Sequence, residues 1–169
     1  ILANGRGAVI DATDALARVP LLVVAEMQGA AAATRILLAA RLDAAELDAI
    51  AGHRIETVAD VTFDASSQSV RARRVRRLGA IVLDSAPLPI DQAPDASAVL
   101  AAGIAKSGIG KLPWSKAQLQ LRDRVAFLRT ADAATWPDLS DDALAAAITE
   151  WLGPFLDGKS RVSDIGGDD

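Results

Sequence analysis

Residues 54–84 read RIETVADVTFDASSQSVRARRVRRLGAIVLD, and the way this stretch divides decides the fold. Arg54–Asp64 and Ser69–Asp84 alternate apolar and polar side chains, the period of a strand with one buried face. Between them Ala65-Ser66-Ser67-Gln68 has turn composition, so the stretch predicts a long hairpin. The alternation slips near Arg74-Val75, as expected where a bulge bends a strand.

Working outward, Asp43-Ala44-Ala45-Glu46-Leu47-Asp48-Ala49-Ile50 precedes the hairpin. Asp43 can accept from orphan amides, Glu46 follows three residues later, and Leu47 and Ile50 share a face, so a short helix ending near Gly52 is expected. Upstream lie three apolar stretches with turn material between them, Leu2–Ile10, Leu21–Met27 and Arg35–Leu42, rich in branched residues and read as strands. Pro20 opens the second, where a missing amide is tolerated, and Gln28-Gly29 closes it toward an alanine-rich connection. The expected order, β-β-β-α-β-β, is that of a five-stranded Greek-key barrel of the oligonucleotide/oligosaccharide-binding (OB) type. Residues 1–90 are therefore assigned to an OB-like barrel and the fold class to α+β.

After Pro87 and Pro89 the period becomes helical, which sets a boundary near residue 90 and a helical extension over 91–169. Asp95 is expected to cap a helix to about Lys106 with Val99, Leu100 and Ile104 inward, terminated by Gly108 and Gly110. Ser115-Lys116-Ala117-Gln118 is a capping box for a second helix, with Ala117, Leu121, Val125 and Leu128 on its inner face. A third helix starts at Ser140, with Asp141 and Asp142 complementing its dipole and Leu144, Ile148, Trp151 and Leu152 forming one stripe before Pro154. Lys159–Asp169, ending Gly166-Gly167-Asp168-Asp169, is too polar to pack and is expected to be disordered or an incomplete element.

Composition narrows the function. Half of the 169 residues are apolar, enough for one full core or two modest ones. No stretch of about 18 apolar residues is present and the start carries no leader pattern, so a soluble, cytoplasmic protein is expected. Cysteine is absent and His53 is the single histidine, which excludes disulfides, thiolate metal sites and histidine-rich zinc sites. The chain opens on Ile1 in strand-like sequence, and we expect further sequence upstream. Net charge is −4, with 10 basic and 10 acidic residues in 1–90 against 8 and 12 in 91–169. A general polyanion binder is not indicated, but a local basic cluster can still attract phosphate.

Five segments carry a family resemblance: Leu2-Ala3-Asn4-Gly5-Arg6-Gly7-Ala8; Val70-Arg71-Ala72-Arg73-Arg74 with Leu78-Gly79-Ala80; Leu112-Pro113-Trp114; Leu121 to Arg129; and Trp136-Pro137-Asp138-Leu139-Ser140. In order and spacing the chain resembles the region after the helicase core in the bacterial HrpB-type ATP-dependent RNA helicases of the DEAH-box group. The resemblance implies a parent with two RecA-like ATPase domains, a winged helix and a helical bundle, then an OB-like domain and a helical extension, of which this chain holds the last two. It implies ATP and magnesium as cofactors of the parent and none for this fragment. The implied partners are single-stranded RNA and the upstream helicase domains of the same polypeptide. Neither a G-x-x-x-x-G-K-[ST] sequence nor an Asp-Glu-x-His box occurs here, so no residue inherits hydrolysis or unwinding. The family pattern continues beyond the segment matching Gly158–Ile165, so a truncated extension is expected.

The sharpest chemical candidate is Arg71, Arg73, Arg74, Arg76 and Arg77, five guanidinium groups within seven residues. Their planar forks suit phosphate oxygens, and each phosphate neutralised releases counterions. The competing readings are ion pairs with acids such as Asp60 and Asp64, or docking against helicase domains. Asn4-Gly5-Arg6-Gly7 offers Arg6 and backbone amides to a phosphate, or a strand entry shaped by two glycines. Lys111, Lys116, Arg122, Arg124 and Arg129 form a second candidate basic surface, diluted by Asp123 and Asp132. Phe63 is the only aromatic residue of 1–90, which argues against base stacking there. Trp114, Trp136 and Trp151 are assigned to packing. Asp141-Asp142 is explained by a helix start, and His53 has no serine near it in a nucleophile motif. The leading expectation is an accessory region that contacts or guides single-stranded RNA through charge and braces the motor. The alternative is a scaffold or protein–protein interaction module without nucleic-acid contact. A small hydrolase would need a nucleophile–base pair that the sequence does not offer.

Overall fold

The computed structural model describes residues 1–30 and 34–166. The chain packs as two units, Ile1–Val58 with Arg74–Ala86, and Ala59–Arg73 with Pro87–Asp169. The last crossing between them lies close to the composition change near residue 90. The outer part of the hairpin, however, groups with the helical half.

Among the described residues the first unit contains strands β1 (Leu22–Gln28) and β2 (Arg35–Arg41) and helix α1 (Ala44–Ala51). Strands β3 (Ile55–Asp64) and β4 (Ser69–Leu78) are shared between the units, and β5 (Ile81–Pro87) follows. The α+β class is observed, but the strands form a two-stranded sheet β1-β2 and a three-stranded sheet β3-β4-β5 rather than one closed five-stranded sheet. The expected β-β-β-α-β-β order is corrected to β-β-α-β-β-β, at two places.

Leu2–Ile10 is not a strand. Its beginning folds on itself, Gly5 N–H donating to Leu2 O at 2.9 Å and Leu2 N–H to Arg6 O at 2.8 Å. Its contacts with neighbours are at single points: Ala3 O accepts from Ala80 N–H at 2.9 Å, and Val9 forms an isolated bridge with Arg35. The other correction is Ser69–Asp84, which is two strands. Gly79 adopts φ +56°, and a Cβ there would lie 2.1 Å from Ala3 O, so only glycine fits this turn. The two-residue connection Gly79-Ala80 permits only antiparallel pairing of β4 with β5.

Strands β1 and β2 pair antiparallel from Leu22 opposite Arg41 to Gln28 opposite Arg35, with register shifts between Val24 and Glu26 and between Glu26 and Met27. The alanine-rich connection at 31–33 lies outside the described residues. Helix α1 starts as its sequence dictates, Asp43 accepting from Glu46 N–H at 2.8 Å and Glu46 accepting from Asp43 N–H at 2.9 Å. Buried apolar side chains are few among the described residues of this unit: Leu47, Ala51 and Val75.

The second unit has a substantial core. Helix α2 (Ala96–Ser107) runs through it with Leu100 and Ile104 almost fully buried, alongside Ile109 and Leu156. Asp95 precedes α2 with φ +59° and makes no side-chain cap, so this expected cap is corrected; its carbonyl still accepts from Val99 N–H at 2.8 Å. Phe63 of β3 lies against α2 so closely that a Cβ on Gly103 would come within 2.2 Å of its ring. Helix α3 (Lys116–Arg129) carries the expected Ser115–Gln118 capping box. Of its expected inner face only Val125 is buried, while Leu121 is 56% exposed. The third predicted helix is interrupted at Ala147 into α4 (Asp141–Ala146) and α5 (Ile148–Trp151), with Ile148 and Leu152 buried as its stripe requires.

The expectation of an unpacked tail is overturned for the described part of it. Ser69 bridges Arg161 antiparallel, Val70 N–H donates to Ser160 O at 2.8 Å, Val162 N–H donates to Gln68 O at 3.0 Å, and Val162 is buried. The open start of β4 recruits this segment, because a strand edge carries donors and acceptors that need partners. Gly167-Asp168-Asp169 lies outside the described residues.

Candidate nucleic-acid interface

Strand β4 carries the arginine cluster. Burial along it alternates until Ala72 and resumes at Val75, with Arg73 and Arg74 exposed in succession between them, which is the slip expected from sequence. In the second unit Arg71 and Arg73 are exposed, and Arg71 pairs with Asp64 at 2.8 Å. The Asp64 carboxylate is held down at about 2, chiefly by the Ser66 hydroxyl and amide, with Ser67 adding to it. It therefore stays charged at any physiological pH.

In the first unit the arginines are treated unequally. Arg76 pairs with Asp48 of α1, and Arg77 with Glu56 of β3 at 3.3 Å. Arg74 is exposed. These pairs are with acids that the sequence reading did not name, because Asp48 and Glu56 are far away in sequence and near only after folding. The named pair Arg71–Asp64 does form, across the hairpin turn. All the pairs are largely solvent-accessible and hold their arginines only weakly against a competing anion.

Arg6 is exposed, but its own amide and those of Gly5 and Leu2 are already used. Arg6 N–H donates to Asn4 Oδ1 at 3.1 Å, and the Gly5 and Leu2 amides close the same turn. The structural reading of Asn4-Gly5-Arg6-Gly7 is the one its geometry supports.

The second candidate surface separates into two kinds of residue. Arg122 donates to Leu139 O at 3.0 Å, pairs with Asp141, and sits 4.9 Å from the centroid of the Trp114 ring. Arg129 donates to Trp136 O and pairs with Asp138 at 3.3 Å. Both strap the 136–141 segment onto α3. Lys111, Lys116 and Arg124 remain exposed. Trp114 and Trp151 stack at 6.0 Å between ring centroids and donate to Ile109 O at 2.9 Å and Leu144 O at 2.8 Å, so both are packing residues; Trp136 is 38% exposed.

A groove that the sequence reading did not anticipate lies in the second unit. Its volume is about 510 Å³, and it is lined by Arg71, Arg73, Arg161, Ser67, Ser69 and Ser160 over an apolar floor that includes Leu88. No carboxylate and no aromatic ring is among its lining residues. The sequence signal for it is slight, Val162 alone among the polar residues 159–163, which read as tail.

No helix among the described residues is long and apolar enough to cross a membrane. An exposed arginine strand, beside a groove lined by three guanidinium groups of which two are its own, defines a basic surface region. Comparison with known proteins makes this specific. Residues 54–88, the arginine hairpin itself, match the connector region of the ATP-dependent RNA helicase HrpB family. Over 160 residues the chain is 31% identical to the ATP-dependent RNA helicase HrpB of Escherichia coli K12, covering 93% of this chain and 20% of that protein. The solved structure of an E. coli DExH-box NTPase HrpB aligns with 97% of this chain and 21% of its own length, at 30% identity and a TM-score of 0.50. A second, of an E. coli DEAH/RHA helicase HrpB, aligns at 25% identity with a TM-score of 0.47. The chain is homologous to a region of the HrpB helicases, as the sequence resemblance implied, and spans about a fifth of these relatives' length.

Proposed function

We propose that this chain is an accessory region of a cytoplasmic, ATP-dependent RNA helicase, one that contacts single-stranded RNA by charge and braces motor domains without hydrolysing ATP. The observation that carries the reading is β4, which presents five arginines within seven residues on the segment that matches the HrpB connector. Guanidinium forks donate in parallel to phosphate oxygens, and the weak surface pairs of Arg71, Arg76 and Arg77 exchange for such contacts at little cost. The net charge of −4 does not oppose this, since steering depends on the local field. With Phe63 turned against α2, base stacking contributes nothing in this part and little sequence preference is expected.

The test is binding of a fluorescent single-stranded RNA across a salt series. The wild-type chain should bind with an affinity that falls as salt rises, and the combined Arg71→Glu, Arg73→Glu, Arg74→Glu variant should lose that binding. Unchanged salt-dependent binding in the variant would remove the reading.

A second reading, a scaffold without RNA contact, is favoured by the surface of the first unit. Val23, Leu37, Leu38, Ile50 and Val82 are all at least half exposed. Exposed branched side chains in such number favour a surface that another protein covers. Under this reading, substituting Leu37, Leu38 and Ile50 by serine would disrupt assembly with the motor domains while RNA affinity stayed the same.

A further inference from the structure

We infer that the groove at the start of β4 is a phosphodiester-binding site for single-stranded nucleic-acid backbone, completed by the chain's own docked tail through Arg161. The inference rests on the reading that the chain contacts RNA, and it moves the centre of that contact away from the arginine run alone. Three guanidinium groups line this groove, two from β4 and one from a segment some ninety positions later. Three serine hydroxyls line it too but are already engaged, Ser67 Oγ with Ser69 Oγ at 2.8 Å and Ser160 Oγ donating to Asp164 Oδ2 at 3.4 Å, so the guanidinium groups are the donors that face a ligand. Three guanidinium forks, with no carboxylate among the lining residues, suit an anion whose oxygens accept from several directions.

The remaining lining favours a polymer backbone over a nucleobase. There is no aromatic platform, so bases have nothing to stack on, whereas the apolar floor beneath the arginines accommodates a sugar. Arg161 is positioned by main-chain contacts, the Ser69–Arg161 bridge and the flanking Val70-to-Ser160 and Val162-to-Gln68 hydrogen bonds. Its side chain is therefore replaceable without removing what holds the segment. Asp64 stands outside the lining and draws on Arg71 from the turn, so it competes with any incoming anion.

The experiment titrates the 169-residue chain against fluorescein-labelled oligouridylate and oligothymidylate over a range of sodium chloride concentrations. Arg161→Ala is expected to weaken both about ten-fold, the loss of one charge-assisted contact. It should also reduce the slope of log affinity against log salt by about 0.7, the share of one single-strand phosphate. Asp64→Asn keeps an acceptor for Ser66 while removing the competing charge, and is expected to tighten binding roughly two- to five-fold, the strength of one surface ion pair. Because this variant gains binding, it remains decisive even if Arg161→Ala loses stability. Wild-type binding that neither variant alters overturns the groove and leaves the broader RNA reading standing. No salt-sensitive binding by the wild type overturns both. Preferential binding of a polyglutamate peptide over either oligonucleotide overturns the inference in favour of an acidic protein partner.

Discussion

The Asp64 carboxylate shows how single residues are tuned here. Its hydrogen bonds from Ser66 and Ser67 bring it from 3.8 to about 2, so the sign is that of a group favoured in its charged form by folding. The contribution is fully present above the unfolded value of about 3.9 and is lost as pH falls through the folded one. An NMR titration of the Asp64 side chain should give a midpoint near 2, with the Ser66 amide shifting in parallel; a midpoint at 3.8 would contradict the turn. Arg122 tests the opposite role for a cation. It is only 19% exposed and holds Leu139 O and Asp141, so Arg122→Ala should cost about 2 kcal/mol of stability. Urea unfolding checks the loss, and RNA affinity measured on the same sample should stay unchanged. At this scale the sequence was legible where partners are local: both capping boxes, Asp43 with Glu46 and Ser115 with Gln118, form as their spacing required. The pairs Arg76–Asp48 and Arg77–Glu56 were not, since they join elements that meet only in the fold.

Among the elements, helices were read more faithfully than strands, for a physical reason. A helix closes its hydrogen bonds within one turn, so α1 and α3 follow from their capping boxes, and α2, whose expected Asp95 cap does not form, from its apolar spacing and Gly108. A strand exists only with a neighbour. Leu2–Ile10 has strand composition but meets β2 only through the single Val9–Arg35 bridge, and Lys159–Gly166 lacks it yet docks on β4. Gly79 was readable as a turn, had its glycine inside an apolar run been weighted more heavily. Gly103 supplies a prediction at this scale. Replacing a mid-helix glycine by alanine ordinarily stabilises by about 1 kcal/mol. Here the new methyl would strike the Phe63 ring, and overpacking of about 1–3 kcal/mol should dominate. Thermal unfolding of Gly103→Ala should show a lowered midpoint, and Phe63→Leu in the same background should recover part of it. A raised midpoint in the single variant would contradict the packing of β3 on α2.

For the whole molecule, the division of apolar burial between the two units is the main result. Among the described residues Leu47, Ala51 and Val75 are the buried apolar residues of the first unit, whereas the second encloses Leu100, Ile104, Ile109, Leu156 and their neighbours. Buried apolar area sets local stability, so the units should differ. Amide hydrogen exchange should find α2 protected well beyond β1 and β2, and equal protection would contradict this division. The expected closed barrel is not observed at this level, because among the described residues the five strands divide between the sheets β1-β2 and β3-β4-β5. What remained readable is the arginine strand and its place in an HrpB-like region. Whether that strand and the docked tail meet RNA together is decided by mapping amide chemical-shift changes as single-stranded RNA is added to isotope-labelled chain. The changes should concentrate at residues 67–74 and 160–162 and fade with added salt. Changes confined to α3, or none at all, would contradict RNA contact at β4.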